Sequence, residues 1–150
     1  MFFLKELPTR EVLLRYKERF PAMNVEAVDA ALGLLRRASL LERRLDAYFS
    51  GRGLSQLRFL ILIVLDREND GAVLKASDIA ERLDISRPVM TRTLQVLEKE
   101  RAVAISGHDE DGRARIVSLT EDGRARLYAA LPGYYDILDA FMRIELAPAC

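Results

Sequence analysis

The sequence predicts a mainly α-helical chain with one small β hairpin, arranged as a winged helix-turn-helix between flanking dimerisation helices. Three observations predict it. Apolar residues recur at helical spacing over most of the 150 residues. Two helical stretches, "SDIAERL" (77–83) and "DISRPVMTRTLQVLEKE" (84–100), are separated by no more than a tight turn. Directly after them the period changes, and two short β-prone runs, "AVAIS" (102–106) and "ARIVSL" (114–119), flank the polar, turn-rich "GHDEDGR".

The elements follow in order. "PTREVLLRYKERF" (8–20) reads as a short amphipathic helix capped by Thr9, with Val12, Leu13, Tyr16 and Phe20 on roughly one face. "PAMN" breaks it, and Asn24 caps a longer helix that reaches about Ser50. Its apolar positions include Val28, Leu32, Leu35, Leu41, Leu45 and Tyr48, while Arg36, Arg37, Arg43 and Arg44 lie mostly on the other side. A helix of that length spans about 39 Å, so part of it is expected to pack on another chain or on a remote helix. Gly51 and Gly53 end it. "LSQLRFLILIVLDRE" (54–68) is capped by Ser55 and apolar nearly all round, as the central helix of a compact lobe should be. "NDG" turns the chain into "SDIAERL", with Ile79, Ala80 and Leu83 inward. In the next helix Val89, Leu94 and Leu97 are expected inward. After the hairpin Thr120 caps "EDGRARLYAAL", which Pro132 and Gly133 are expected to kink or break before "YYDILDAFMRIEL" resumes. Three regions result: an N-terminal arm and dimerisation helix (1–53), a winged helix-turn-helix (54–119) and a C-terminal dimerisation helix (120–150).

Composition narrows the function classes. Half of the chain is hydrophobic, enough for a real core. The single cysteine, Cys150, cannot form an internal disulfide. The longest apolar run, "FLILIVL" (59–65), has seven residues, far short of a bilayer span, and "MFFLKELP" is too short for a signal peptide. A soluble cytoplasmic protein with no membrane contact is expected. Formal net charge is zero, divided as +4 over residues 1–58, −2 over 59–119 and −2 over 120–150. No large field steers such a protein to nucleic acid, so any DNA binding must rest on a few placed cations.

The stretch from Ser86 holds such cations. Ser86 is a good N-cap and Pro88 suits a first turn. Arg87 is the surprise, because the helix dipole opposes a cation there. An anionic partner removes the conflict. If this helix enters a major groove N-terminus first, Arg87, Thr91 and Arg92 point toward base edges or flanking phosphates, and Arg113 and Arg115 on the hairpin can reach the adjacent minor groove.

Here the sequence resembles the MarR-type transcriptional regulators. The resemblance covers about residues 54–127 and rests on "LSQLRFLIL", "SDIAERLDISRPVMTRTLQVLEKE" and "HDEDGRARIVSLTEDGRA". It implies a recognition helix beginning at Ser86, Arg87 and Pro88. It implies a wing tip in which Asp111 orients Arg113 toward the minor groove, and a wing-to-helix junction at "LTEDG". It implies a homodimeric winged-helix regulator, usually a repressor and less often an activator. Many members answer to small aromatic or phenolic compounds, and some to oxidants. Three departures stand out. Gly112 occupies the place of the first of two adjacent wing-tip arginines. Lys75 stands where a threonine or serine cap is common, so either Ser77 is expected to cap instead or the helix is expected to begin frayed. The family usually continues past the position of Cys150 with another helix, and the helix at 8–20 is expected to replace it in the dimer.

Other chemistry finds little support. His108 with Asp109 and Asp111 invites a metal, but aligning "DEDG" on a calcium loop puts Gly107 and Ser118 where acids belong. One histidine and a terminal cysteine supply no catalytic dyad, and the sequence has no phosphate-binding glycine loop. No enzyme, metal or cofactor is expected. The expectation is therefore a DNA-binding repressor of an inverted-repeat site, self-associated as a homodimer and released by a small ligand or another signal. The alternative is a dimeric protein-interaction module of the same fold with weakened DNA binding. Tyr48, Phe49, Arg52 and Phe59 are the candidate effector-binding residues: aromatic surface plus one cation for a carboxylate.

Overall fold

A computed structural model describes residue 2 and residues 4–68, 73–107 and 115–146. Six helices and three short strands run in the order α1 (Arg10–Arg19), α2 (Val25–Ser50), α3 (Gln56–Asp66), β1 (Leu74–Lys75), α4 (Ala76–Arg82), α5 (Arg87–Lys99), β2 (Val103–Ser106), β3 (Ile116–Leu119) and α6 (Glu121–Leu146) among those residues. None of these helices is long and apolar enough to cross a membrane. The chain divides into two compact units, Met1–Leu45 and Asp46–Cys150.

The first unit is built from α1 and most of α2. Thr9 caps α1 by accepting from the Val12 N–H, and Asn24 caps α2 by accepting from the Ala27 N–H at 2.9 Å. Arg10 pairs with Glu26 at 2.9 Å between the two helix starts. Of the apolar face expected on α1, Leu13 is buried while Tyr16 and Phe20 are exposed. On α2 Leu34 and Leu35 are also exposed. The buried Ser39 donates its hydroxyl to the Phe2 carbonyl, tying the N-terminal segment to the middle of α2.

The second unit holds the winged arrangement. Ser55 caps α3, whose Phe59, Ile61 and Leu62 are fully buried, as an all-round apolar helix requires. α5, β3 and α6 pack against it, and Ile79 of α4, Leu94 and Leu97 of α5, Val117 of β3 and Leu127 of α6 are buried in the same unit. The inward stripe of α5 is Met90, Leu94 and Leu97, not Val89, which is 44% exposed. Met90 lies four and seven residues from the other two and so shares their face; Val89 is turned about 100° away. The expected hairpin forms, with Val103 opposite Leu119 and Ser106 opposite Ile116. A third strand joins it: Leu74 pairs with Val117 and Lys75 with Ile116, giving the sheet order β1-β3-β2.

Turns and helix ends follow backbone rules closely. α4 and α5 both end in Schellman motifs. After α4, Ile85 N–H bonds to Ala80 O and Asp84 N–H to Glu81 O, with Asp84 at φ 51°. After α5, Ala102 N–H bonds to Leu97 O and Arg101 N–H to Glu98 O, with Arg101 at φ 58°. Asp84 therefore makes the tight turn between α4 and α5. Thr120 caps α6 by accepting from the Gly123 N–H at 3.0 Å.

Of the kink or break expected at Pro132–Gly133, the break does not occur: α6 runs unbroken from Glu121 to Leu146 with Pro132 inside. An interior proline costs about 3 kcal/mol. Burial of Leu127 and Ala130 before the proline and of Phe141 after it anchors the helix on both sides, and the Tyr48 hydroxyl donates to the Ala130 carbonyl at 2.8 Å in the affected turn.

Candidate nucleic-acid interface

The inward stripe of α5 determines which side chains face out. With Met90, Leu94 and Leu97 in the core, Arg87, Pro88 and Arg92 are exposed and Thr91 is half-buried. Ser86 has the extended backbone of an N-cap, yet its side chain makes no capping bond. The first turn of α5 has no acidic residue. Its free N–H groups and the Ser86 hydroxyl are thus available to an external anion.

Arg115 comes to the same place by another route. Its carbonyl accepts from the Ala76 N–H at 2.9 Å, which pins the start of β3 to the start of α4. A cleft of about 380 Å³ results, lined by Lys75, Ala76, Ser77, Arg87, Met90, Thr91 and Arg115. Three cations from three separate segments border it: Lys75 on β1, Arg87 on α5 and Arg115 just before β3. Arg87 and Arg115 form no ion pair with any other described residue. Lys75 is the N-cap residue of α4 and makes no side-chain capping bond, and the Ser77 hydroxyl, the expected substitute, turns to Asp78 instead. Its contribution to this cleft was not foreseen, because the β1 strand that carries it was not.

Arg92 lies apart from that cleft, in an open groove bordered by Ser55, Arg58, Thr93, Val96 and Glu100. The two sites lie on the same helix but around its circumference from one another, so α5 presents cations on both flanks of its exposed face. Asp111 and Arg113, the wing-tip pair, and Gly112 lie outside the described residues.

One ion cluster stands behind the groove. The Glu100 carboxylate, at the C-cap of α5, accepts from Arg58 of α3 at 2.7 Å and from Arg126 of α6 at 2.5 Å. Arg126 also donates to the Gly53 carbonyl at 2.7 Å. Burial pushes the Glu100 carboxyl up, but hydrogen bonds and charge from Arg126 and Arg58 outweigh it and hold the group below the usual carboxylate range. Nothing in the sequence marked these residues, which lie 42 and 26 positions apart from Glu100.

The four effector candidates do gather in one place. The Phe49 and Phe59 rings are fully buried with centroids 4.5 Å apart, and Tyr134 packs on Phe59 at 4.9 Å. Tyr48 packs edge-on to Phe49, and the Arg52 guanidinium lies 3.8 Å above the Tyr48 ring. Phe49 and Phe59 are thus core residues, and Tyr48 with Arg52 forms the outer layer.

Comparison with known proteins agrees with the winged-helix fold. The family model described as "MarR family" matches residues 52–114. The chain is 30% identical over 139 residues to the HTH-type transcriptional repressor YetL of Bacillus subtilis (strain 168), covering 93% of this chain and 83% of that protein. It is 30% identical over 147 residues to the HTH-type transcriptional regulator PecS of Dickeya dadantii (strain 3937), covering 93% and 86%. Among solved structures it resembles AbsC, a MarR family transcriptional regulator from Streptomyces coelicolor, with a TM-score of 0.76 at 22% identity over 84% of each chain. It also resembles Sco3205 from the same organism, a MarR family transcriptional regulator solved in complex with DNA, with a TM-score of 0.77 at 23% identity over 84% of this chain and 79% of that one. At those identities the structures speak for the fold alone.

Proposed function

This chain belongs to the MarR family of transcriptional regulators, and on that premise we propose that it binds double-stranded DNA sequence-specifically as a homodimeric repressor, α5 being its recognition helix. The observation that carries the reading is the convergence of Arg87, Thr91 and Arg115 on one cleft at a helix start whose N–H groups have no side-chain cap. A phosphate satisfies the free N–H groups and the cations together. Arg92, on the other flank, is the residue best placed for a base edge or the facing strand. Ser86 and Pro88 shape the entry of the helix, and the similarly folded Sco3205 is solved in complex with DNA.

Self-association follows from the apolar surface. Leu34 and Leu35 of α2 are 62% and 49% exposed, and on α6 Tyr135, Met142 and Ile144 are exposed. A second copy would cover such residues, and a two-fold dimer would place its two α5 helices about 34 Å apart, one turn of B-DNA. A small aromatic or phenolic effector would act at Tyr48 and Arg52, the outer layer above the buried Phe49 and Phe59. To release DNA it must bind one dimer state better than the other.

The test is to select duplexes from a random-sequence pool with the purified protein and to weigh the free and bound species by light scattering. An inverted repeat bound by a dimer is the expected result. A monomer, or a pool with no enriched sequence, would refute it.

A further inference from the structure

We propose that Glu100 is a positioning residue for sequence reading: held between Arg58 and Arg126, it sets the orientation in which α5 presents Arg87, Thr91 and Arg92. The inference rests on the DNA-binding reading above.

The geometry is that of a joint. Glu100 closes the C-terminal end of α5. One carboxylate oxygen accepts from Arg58 on α3 and the other from Arg126 on α6. Arg126 reaches on to the Gly53 carbonyl in the loop before α3, and Arg58 is itself held near the Ser55 hydroxyl at 3.4 Å. Three helices and one loop therefore meet at a single side chain. Without the carboxylate, two partly buried guanidinium groups would face each other with no counter-charge between them, and they would move apart.

The far end of α5 amplifies such movement. A helix of 13 residues is about 20 Å long. A tilt of about 5° at Glu100 moves the Arg87 end by about 2 Å over that length. Hydrogen bonds to bases tolerate only a few tenths of an ångström. Phosphate contacts made by long, flexible cations tolerate much more, so the loss should fall on sequence discrimination rather than on binding to DNA as such.

Charge alone gives the opposite sign. A carboxylate bordering the same groove as Arg92 repels phosphate, so removing its charge would by itself tighten binding to every duplex. Positioning predicts weaker binding to the preferred one.

The test uses a duplex selected from a random pool by the wild-type protein, and a scrambled duplex of equal length and composition. The protein variants are Glu100→Gln, Arg126→Gln and the double substitution. Glu100→Gln should lose at least about tenfold on the selected duplex, comparable with one base-reading pair, while holding or gaining affinity for the scrambled one. The double variant should lose little more than the weaker-binding single variant, since both break one joint. Equal or tighter binding of Glu100→Gln to the selected duplex overturns the inference, and so does an equal loss on both duplexes. Should Glu100→Gln prove unfolded by circular dichroism, Arg58→Lys decides. It keeps the charge but loses the fork, and a reduced selected-to-scrambled ratio supports the joint while an unchanged ratio overturns it. A wild-type protein that selects no duplex overturns the DNA-reading function itself; a selective wild type beside an equally selective Glu100→Gln overturns only the positioning role.

Discussion

Gly123 lies so close to Ala102 that a Cβ added to it would stand 1.9 Å from the Ala102 carbonyl oxygen. The same carbonyl accepts from the Thr120 N–H and the Thr120 hydroxyl, so the end of α5 and the start of α6 share one crowded junction. Both sides of the contact are backbone, and neither can swing away. Gly123→Ala is expected to cost roughly 3 kcal/mol or more, the upper end of overpacking costs, measured by urea denaturation. A loss under about 1 kcal/mol would show that the junction yields.

Gly133 makes a second close approach, to the Tyr48 ring: an added Cβ would lie 2.4 Å from the hydroxyl oxygen and 2.7 Å from Cε2. Here the neighbour is a side chain, so its removal makes room. Gly133→Ala should destabilise the protein alone but cost less in a Tyr48→Ala background. Additive losses would count against this contact as the reason for glycine.

Arg101 holds a left-handed backbone at φ 58° without being glycine. That conformation costs an ordinary residue about 1–2 kcal/mol, and glycine returns part of the gain as unfolded-state entropy. Arg101→Gly should stabilise the protein by roughly 0.5–1 kcal/mol. Asp84→Gly should gain less, because aspartate tolerates this region better. A lower melting temperature for Arg101→Gly would contradict the backbone argument.

Glu100 makes stability depend on pH in a defined direction. Its folded carboxyl titrates below the ordinary range because Arg126 and Arg58 outweigh the effect of burial. Its contribution is therefore present above the unfolded value of about 4.3 and is lost as pH falls through the lower folded value. The difference in melting temperature between wild type and Glu100→Gln should be constant near neutrality and narrow below about pH 4.3. A difference that persists unchanged to the lowest pH at which the protein stays folded would contradict the ion pairs.

The sequence was most legible where one residue decides a local structure. Thr9, Asn24, Ser55 and Thr120 each precede a periodic run and each caps a helix. The start of α5 could be read from Ser86 and Pro88, although the Ser86 side chain makes no capping bond. Legibility failed where tertiary contacts decide. β1 has two residues, Leu74 and Lys75, too few for any period, and exists because Val117 and Ile116 lie beside it. Pro132 signals a break that burial on both sides overrides. Val89 and Met90 are both apolar neighbours, and only the positions of Leu94 and Leu97 choose between them. The Arg58–Glu100–Arg126 cluster joins residues that no spacing rule connects.

The most direct measurement is the ratio of affinities for the selected and scrambled duplexes, taken for wild type and for Arg92→Ala at one fixed salt concentration. Arg92 is exposed on α5, and among the described residues it has no ion-pair partner to lose, so its removal should leave the fold intact. The wild-type ratio should be at least about 10³. Arg92→Ala should lower it by roughly 1–3 kcal/mol through lost reading of a base. A wild-type ratio near one, with a stable dimer, would contradict sequence-specific regulation and leave a protein-interaction module of the same fold.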